Sequence, residues 1–126
     1  MRDYLFLKNN SKCSRIFFND LQYIEAADKY VRFVTIQKNY LLLGCLSRVE
    51  MQLPPDQFCR IHRSYIVSFR HTEEFTSETV LIAGLHLPLA RQYKAAFFER
   101  AEIICADGFH ANPPDKNGNK LVEEVR

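Results

Sequence analysis

The chain has no tryptophan and only four glycines among its 126 residues. It contains no Gly-rich phosphate-binding loop, which argues against the common nucleotide-binding motifs. No apolar run approaches the roughly 18 residues that a membrane-spanning helix needs. No nucleophile has an evident base, and no His or Cys residues stand at metal-ligand spacing. The sequence therefore predicts neither an enzyme nor a metal or cofactor site.

A strong excess of charge of one sign is also lacking. The chain carries 17 Lys and Arg residues against 15 Asp and Glu residues, for a formal net charge of +2. Such a small excess does not by itself indicate a nucleic-acid partner. Any case for DNA binding must rest on where individual basic side chains lie.

Cysteine is present, but not in a pattern that indicates disulfides or a metal. Cys13, Cys45, Cys59 and Cys105 each lie beside apolar or strand-like sequence, and we expect buried free thiols, as in a reducing compartment. No signal-peptide pattern follows Met1. We therefore expect a cytoplasmic location and no membrane association.

What is present is strand-forming sequence: 47% of the residues are hydrophobic and 13% are aromatic. Helical spacing predicts a short helix from Leu46 to Leu53, capped by Ser47, and a C-terminal helix from Arg91 to Cys105. Alternating apolar residues between turn signals predict strands at residues 4–7, 14–18, 21–26, 30–36, 40–43, 58–61, 65–69, 73–76, 79–83 and 85–89.

This pattern predicts a mainly β fold, an antiparallel β-sandwich of short strands with one short internal helix and a C-terminal helix. The length suits one domain. We place that domain at residues 1–105, and residues 106–126 form a Pro/Asn/Gly-rich C-terminal tail.

The basic side chains stand at strand ends. The apolar run of residues 58–67 is interrupted at its centre by His62-Arg63-Ser64, and Arg91 follows the strand end at residues 87–90. Apolar strands that hold cations at their ends indicate binding to a polyanion rather than catalysis.

Five segments in one order resemble the LytTR DNA-binding domain, namely residues 20–26, 30–32, 46–50, 58–67 and 87–91. The resemblance implies an elongated fold of layered sheets whose loops enter successive major grooves of promoter DNA. It also implies the output domain of a bacterial two-component response regulator, in a phosphorelay with a receiver domain or histidine kinase. Such domains often bind paired direct repeats, with a second copy alongside on the duplex.

The resemblance places DNA contacts in three segments, which here are residues 28–32, 62–64 and 91–94. Arg91 is the candidate for a base contact, because a guanidinium can donate two hydrogen bonds to guanine. Lys29, Arg63 and Lys94 are candidates for phosphate contacts. The full set of candidate DNA-binding residues is Lys29, Tyr30, Arg32, His62, Arg63, Ser64, Arg91, Gln92 and Lys94.

The sequence departs from the family pattern at Ala90, where a serine is common, and at Ser68, where an asparagine is common. Val31 also stands where some relatives carry a polar residue. The modest net charge and the departure at Ala90 leave open an alternative function, a non-catalytic protein-interaction module that retains the fold. His62 is open between facing DNA and bonding to the backbone, and we expect Arg60 to be solvated or ion-paired. A single positive face that contains Lys29, Arg63, Arg91 and Lys94 would favour DNA.

Overall fold

The computed structural model of the protein describes residues 2–106. Within this range the helices are α1 (Leu46–Glu50) and α2 (Arg91–Ala101), with a 3₁₀ turn at Phe18–Asp20. The strands are β1 (Tyr4–Asn9), β2 (Lys12–Phe17), β3 (Leu21–Ala27), β4 (Tyr30–Thr35), β5 (Asn39–Leu43), β6 (Phe58–His62), β7 (Tyr65–Ser68), β8 (Thr72–Phe75), β9 (Thr79–Ile82) and β10 (Leu85–Pro88). The predicted C-terminal tail lies, apart from Ala106, outside the described residues.

The strands form three antiparallel sheets. The central sheet has five strands in the order β5-β4-β3-β7-β6, and it is accompanied by the β1-β2 hairpin and a β10-β9-β8 sheet. All pairings are antiparallel, and each sheet contains strands that follow one another in the chain. The predicted mainly β fold with two helices is confirmed.

The central sheet is covered on both faces because side chains alternate along each strand. Ile24 and Phe33 point to one face, where they pack with the β1-β2 hairpin and α1. Tyr23 and Val34 point to the other face, where they pack with the β8–β10 sheet and α2. The central sheet is therefore the rigid layer from which the loops at its ends project.

Helix α2 is anchored by Phe97, which is fully buried. Its ring lies 5.2 Å from that of Phe69 and 4.9 Å from that of Phe75, measured between centroids. The predicted extension to Cys105 is wrong, because Glu102 takes a left-handed conformation (φ 57°) and ends the helix. Glycine usually marks such an end, so the sequence carried no stop signal here. Ile104, which lies within the predicted extension, is 92% exposed.

Helix α1 is also shorter than predicted, and Ser47 does not cap it. The N-cap residue is Cys45, whose side chain makes no capping hydrogen bond, and the helix ends at Glu50 rather than at Leu53. The amides of Gln52 and Leu53 bond to carbonyls three residues earlier. This tighter winding is typical of a helix end, and it precedes two prolines that cannot donate to such bonds.

All four cysteines are free, but only Cys59 is buried. Burial raises the pKa of the Cys59 thiol above its ordinary value. The predicted burial is wrong for Cys13 and Cys45, which are exposed. Cys13 lies on the outer side of β2, whose inner side chain Ile16 is buried. Neither helix in the described range is long and apolar enough to cross a bilayer.

Candidate nucleic-acid interface

The β3-β4 turn and the β6-β7 turn lie side by side at one end of the central sheet. Strand β3 is the neighbour of both β4 and β7, and Glu25 is paired in register with Arg32 on one side and with Tyr65 on the other. The Ala26 amide donates a hydrogen bond of 2.9 Å to the Ser64 carbonyl. Two of the three predicted DNA-contact segments are therefore adjacent.

The start of α2 joins the same end of the sheet. The Ala90 amide donates to the Ile61 carbonyl at 2.8 Å, so that Arg91 begins the helix beside the β6-β7 turn. Ile61 lies in a β-bulge, since Arg60 pairs with Ile66 while His62 pairs with Tyr65. Bulges re-aim the residues beside them. We call the surface formed by residues 28–32, 62–64 and 91–94 the basic edge.

Four cations of the basic edge have no carboxylate partner in the described part of the chain. The two ion pairs found among residues 2–106 involve Arg32 and Arg60. The four others are three exposed residues and one that is half-buried: Lys29, Arg63, Arg91 and Lys94. Their positive charges are therefore available to an anion that approaches this end of the sheet.

Arg32, also predicted to bind DNA, is held within the sheet. Its Nη1 donates to Glu25 Oε1 at 2.6 Å. A guanidinium has five N–H donors, so this bond leaves others free. Glu25 also acts on Tyr65: burial, followed by the charge of this carboxylate, raises the pKa of the Tyr65 phenol above its ordinary value. The folded protein therefore disfavours the charged phenolate of Tyr65 more than water does.

His62 is bonded to the backbone of its own turn. The Ser64 amide donates to His62 Nδ1 at 3.0 Å, which requires Nδ1 to be unprotonated. The half-buried imidazole lies 5.7 Å from the Tyr65 ring, measured between centroids. The sequence left His62 open between facing DNA and bonding to the backbone. The structure shows the bond to the backbone, which shapes the turn.

The remaining candidates differ in accessibility. Gln92 is exposed at the start of α2, and the Tyr30 ring is exposed beside Lys29, whose Nζ lies 5.9 Å from the ring centroid. Val31, by contrast, is 1% exposed and packs into the core. It cannot contact DNA in this conformation, so any reading by this turn must come from its neighbours.

Helix α2 begins at the basic edge without a side-chain cap. Its N-cap residue, Ala90, supplies no side-chain acceptor for the first helical amides. Uncapped amides at a helix N-terminus carry a partial positive charge and can donate to a phosphate. The Tyr93 amide already donates to the Ala90 carbonyl at 3.0 Å, so the donors that the missing hydroxyl leaves available are the amides of Arg91 and Gln92.

Arg60 is the residue whose role the sequence reasoning did not find. The expected ion pair is present, with Nη1 at 2.9 Å from Glu50 Oε1. The same guanidinium also donates to the carbonyls of His62 and Arg63. No local pattern in the sequence predicts this set of contacts, because Glu50 lies on α1 and meets Arg60 only in the folded chain. The Glu25–Arg32 ion pair, by contrast, could have been predicted from the sequence, since a two-residue turn at Asp28-Lys29 places residues 25 and 32 opposite each other.

Comparison with known proteins identifies the family. The sequence model of the LytTr DNA-binding domain matches residues 11–102. An uncharacterized response regulatory protein of Vibrio cholerae is 33% identical over 91 residues, which are 65% of this chain and 35% of that protein. The CO-responsive transcriptional regulator RcoM of Rhodospirillum rubrum is 42% identical over 53 residues, 42% of this chain and 22% of that protein.

The sensory transduction protein LytT of Bacillus anthracis is 29% identical over 80 residues, which are 59% of this chain and 32% of that protein. The chain thus spans about a third or less of the length of these curated relatives. A solved LytTr DNA-binding domain from a Bacillus cereus protein superposes with a TM-score of 0.69 at 24% identity, covering 82% of this chain and all (100%) of that one. The chain belongs to the LytTr DNA-binding domain family.

Proposed function

We propose that this chain binds promoter DNA sequence-specifically through the basic edge, as the output domain of a transcription regulator. The observation that carries the proposal is the grouping of four cations without carboxylate partners in the described range: Lys29, Arg63, Arg91 and Lys94. They come from three separate segments that backbone hydrogen bonds hold at one end of a rigid sheet. Duplex DNA is a regular polyanion, and cations grouped in this way can bind several of its phosphates at once.

The roles of the cations follow from their chemistry. Arg91 stands at the first position of α2, where a planar guanidinium can donate two hydrogen bonds to the O6 and N7 atoms of a guanine. Lys29, Arg63 and Lys94 supply charge to phosphates, which sets the register without reading sequence. The amides of Arg91 and Gln92 at the start of α2 add donors for a further phosphate.

The other candidates support these contacts. Tyr30 and Gln92 are exposed next to the cations and can reach sugar or base edges. Arg32 retains guanidinium donors beyond the one bonded to Glu25. His62 and the Ser64 amide hold the turn through their mutual hydrogen bond, and the Ser64 hydroxyl is available to a phosphate. The chain acts by binding and not as an enzyme.

The relatives suggest the setting in which the domain works. Two of them are described as response regulatory or sensory transduction proteins, and a third as a transcriptional regulator. We infer that this domain serves a two-component pathway, with a receiver domain or histidine kinase upstream, in the cytoplasm. Binding to direct repeats would place a second copy beside the first on the same duplex.

Selection from a library of random duplexes, followed by sequencing, tests the proposal. We expect the 126-residue chain to enrich a motif, present as two repeats if two copies bind together. The matched control carries alanine at Lys29, Arg63, Arg91 and Lys94, which are surface positions, and should enrich nothing. Recovery of no motif by the wild-type chain, with folding verified by circular dichroism, would favour a protein-interaction module instead.

A further inference from the structure

Arg60 lies at the edge strand of the central sheet, yet its side chain is only 10% exposed. A basic residue so well covered is unusual unless its donors are satisfied. Here three of its nitrogen atoms each donate a hydrogen bond, at distances of 2.7 to 2.9 Å. The charge is used inside the protein and does not belong to the cations available to DNA.

Two of these bonds hold consecutive peptide groups of the β6-β7 turn. Arg60 Nε donates to the His62 carbonyl at 2.8 Å, and Nη2 donates to the Arg63 carbonyl at 2.7 Å. The second of these peptide groups is also held from its other side, because its N–H, the Ser64 amide, donates to His62 Nδ1. The turn is fixed at both peptide groups that flank Arg63.

The third bond and a ring contact tie the same guanidinium to both helices. Nη1 donates to Glu50 Oε1 on α1 at 2.9 Å. The guanidinium carbon lies 5.8 Å from the centroid of the Tyr93 ring on α2, a cation–π distance. One side chain thus connects the β6-β7 turn with the helix that carries Arg91.

Only a guanidinium can make this set of contacts. Its donors form a flat, rigid fork, whereas the lysine ammonium is a single point at the end of a flexible chain. A lysine at this position keeps the charge but cannot reach two carbonyls and a carboxylate from three separate nitrogen atoms. The exchange of arginine for lysine therefore separates geometry from charge.

We propose that Arg60 is a positioning residue for DNA binding, which fixes the direction in which Arg63 leaves the sheet and does not itself touch DNA. The inference rests on the proposed function. Holding the turn before DNA arrives removes an ordering cost that binding would otherwise carry. Loss of the fork should therefore weaken binding without reducing the number of phosphates contacted.

The test compares Arg60→Lys and Arg60→Ala with Arg100→Lys in the 126-residue chain. Arg100 is an exposed arginine that lines the same surface cavity as Arg60, so its exchange controls for loss of a guanidinium there. Affinity for the selected duplex is measured as a function of salt. We expect Arg60→Lys to weaken binding about tenfold, the cost of ordering two residues on contact, and Arg100→Lys to match wild type.

The salt dependence distinguishes positioning from direct contact. A positioning residue leaves the slope of log K against log salt unchanged even in Arg60→Ala. A phosphate contact made by Arg60 itself would lower that slope by about 0.9 in Arg60→Ala, which would overturn the proposal. Wild-type affinity in Arg60→Lys would overturn it as well.

Hydrogen exchange of the Ser64 amide in the free protein supplies a readout that needs no DNA. We expect faster exchange at Ser64 in Arg60→Lys than in wild type, with no change in Arg100→Lys; unchanged exchange would contradict the proposal. If Arg60 variants do not fold, Glu50→Gln, which neutralises the one charged acceptor of the three, should show the same changes to a smaller degree. Absence of DNA binding by the wild-type chain would instead overturn the proposed function, and with it the role of Arg60 in binding.

Discussion

The two turns of the basic edge are neighbours but are built differently. The β6-β7 turn is held by the Arg60 fork, by His62 Nδ1 and by a backbone bond to β3. The β3-β4 turn is tied at Lys29, whose carbonyl accepts from the Gly44 amide at 3.0 Å. Within residues 2–106, no side chain hydrogen-bonds to its two central residues, Asp28 and Lys29. The β6-β7 turn, which we call the held turn, is fixed by side chains as well as by the backbone, whereas the β3-β4 turn, which we call the adaptable turn, is fixed in the same range by backbone bonds alone.

This difference suggests a division of labour. Base reading needs donors aimed within a narrow range of directions, which suits Arg91 at the start of α2, beside the held turn. Phosphate contacts tolerate variation in direction, which suits the adaptable turn and its lysine. Both kinds of contact can then form on one duplex face, even where local DNA shape varies.

The largest expected effect concerns the packing of α2, the helix that begins beside the β6-β7 turn. Phe97→Ala removes a fully buried ring that contacts Phe69 and Phe75, so the free energy of unfolding should fall by about 3–5 kcal/mol. Urea denaturation measures this. Phe6→Ala, a change at a mostly exposed ring, serves as the control and should cost far less. Equal losses in the two variants would mean that α2 is not the main support.

Variants of Arg91 and Lys94 in α2 separate base reading from phosphate contact. Arg91→Ala should reduce discrimination between the selected site and a mutated site by about 1–3 kcal/mol. Lys94→Ala should weaken binding to both sites about equally, because a phosphate contact does not depend on sequence. Competition binding with the two duplexes measures both. If Arg91→Ala left the preference intact, Arg91 would not be the base-reading residue.

The adaptable turn should respond to charge alone. Lys29→Ala should lower the slope of log K against log salt by about 0.9, the value for one phosphate contact. Asp28→Asn removes an exposed negative charge beside it and should strengthen binding at low salt. Asparagine tolerates the left-handed conformation that Asp28 adopts (φ 60°). A change in sequence preference in either variant would show that this turn reads bases.

A smaller effect is expected where the two turns meet, at Tyr65. The pKa of Tyr65 is higher in the folded protein than its value of 10.0 in the unfolded chain. Its contribution to the free energy of unfolding is therefore complete below the unfolded pKa and is lost as the pH rises through the folded pKa. Tyr65→Phe should therefore make the loss of stability above about pH 10 shallower. Urea unfolding at several alkaline pH values measures this. Glu25→Gln, which removes the carboxylate charge, should act in the same direction, and an unchanged slope in Tyr65→Phe would contradict the account.

Much of the fold could be predicted because strands and turns leave local signals. In β4 the alternation of Val31, Phe33 and Thr35 predicts the buried positions that the structure has. The end of α2 could not be predicted, since Glu102 adopts a left-handed backbone conformation that glutamate rarely takes. Helix ends depend on what the chain packs against afterwards, which is not written in the local sequence.

The candidate site divides in the same way. The positions of Arg63 and Arg91 follow from strand ends, and the resemblance to the family adds Lys29, so these three residues could be grouped from the sequence. The contacts of Arg60 could not be found, because they join β6 to α1 and α2, segments that only the folded chain brings together. Which cations are free and which are held is a property of the tertiary structure.

The central claim is that DNA docks on the basic edge and nowhere else on the described surface. The most direct measurement is a map of backbone amide NMR shifts of the 126-residue chain as the selected duplex is added. The account predicts that the shifts concentrate at residues 28–32, 62–64 and 91–94 and spare the β4-β5 turn at residues 36–38, at the opposite end of the central sheet. Shifts centred on the β4-β5 turn, with the basic edge unaffected, would contradict it.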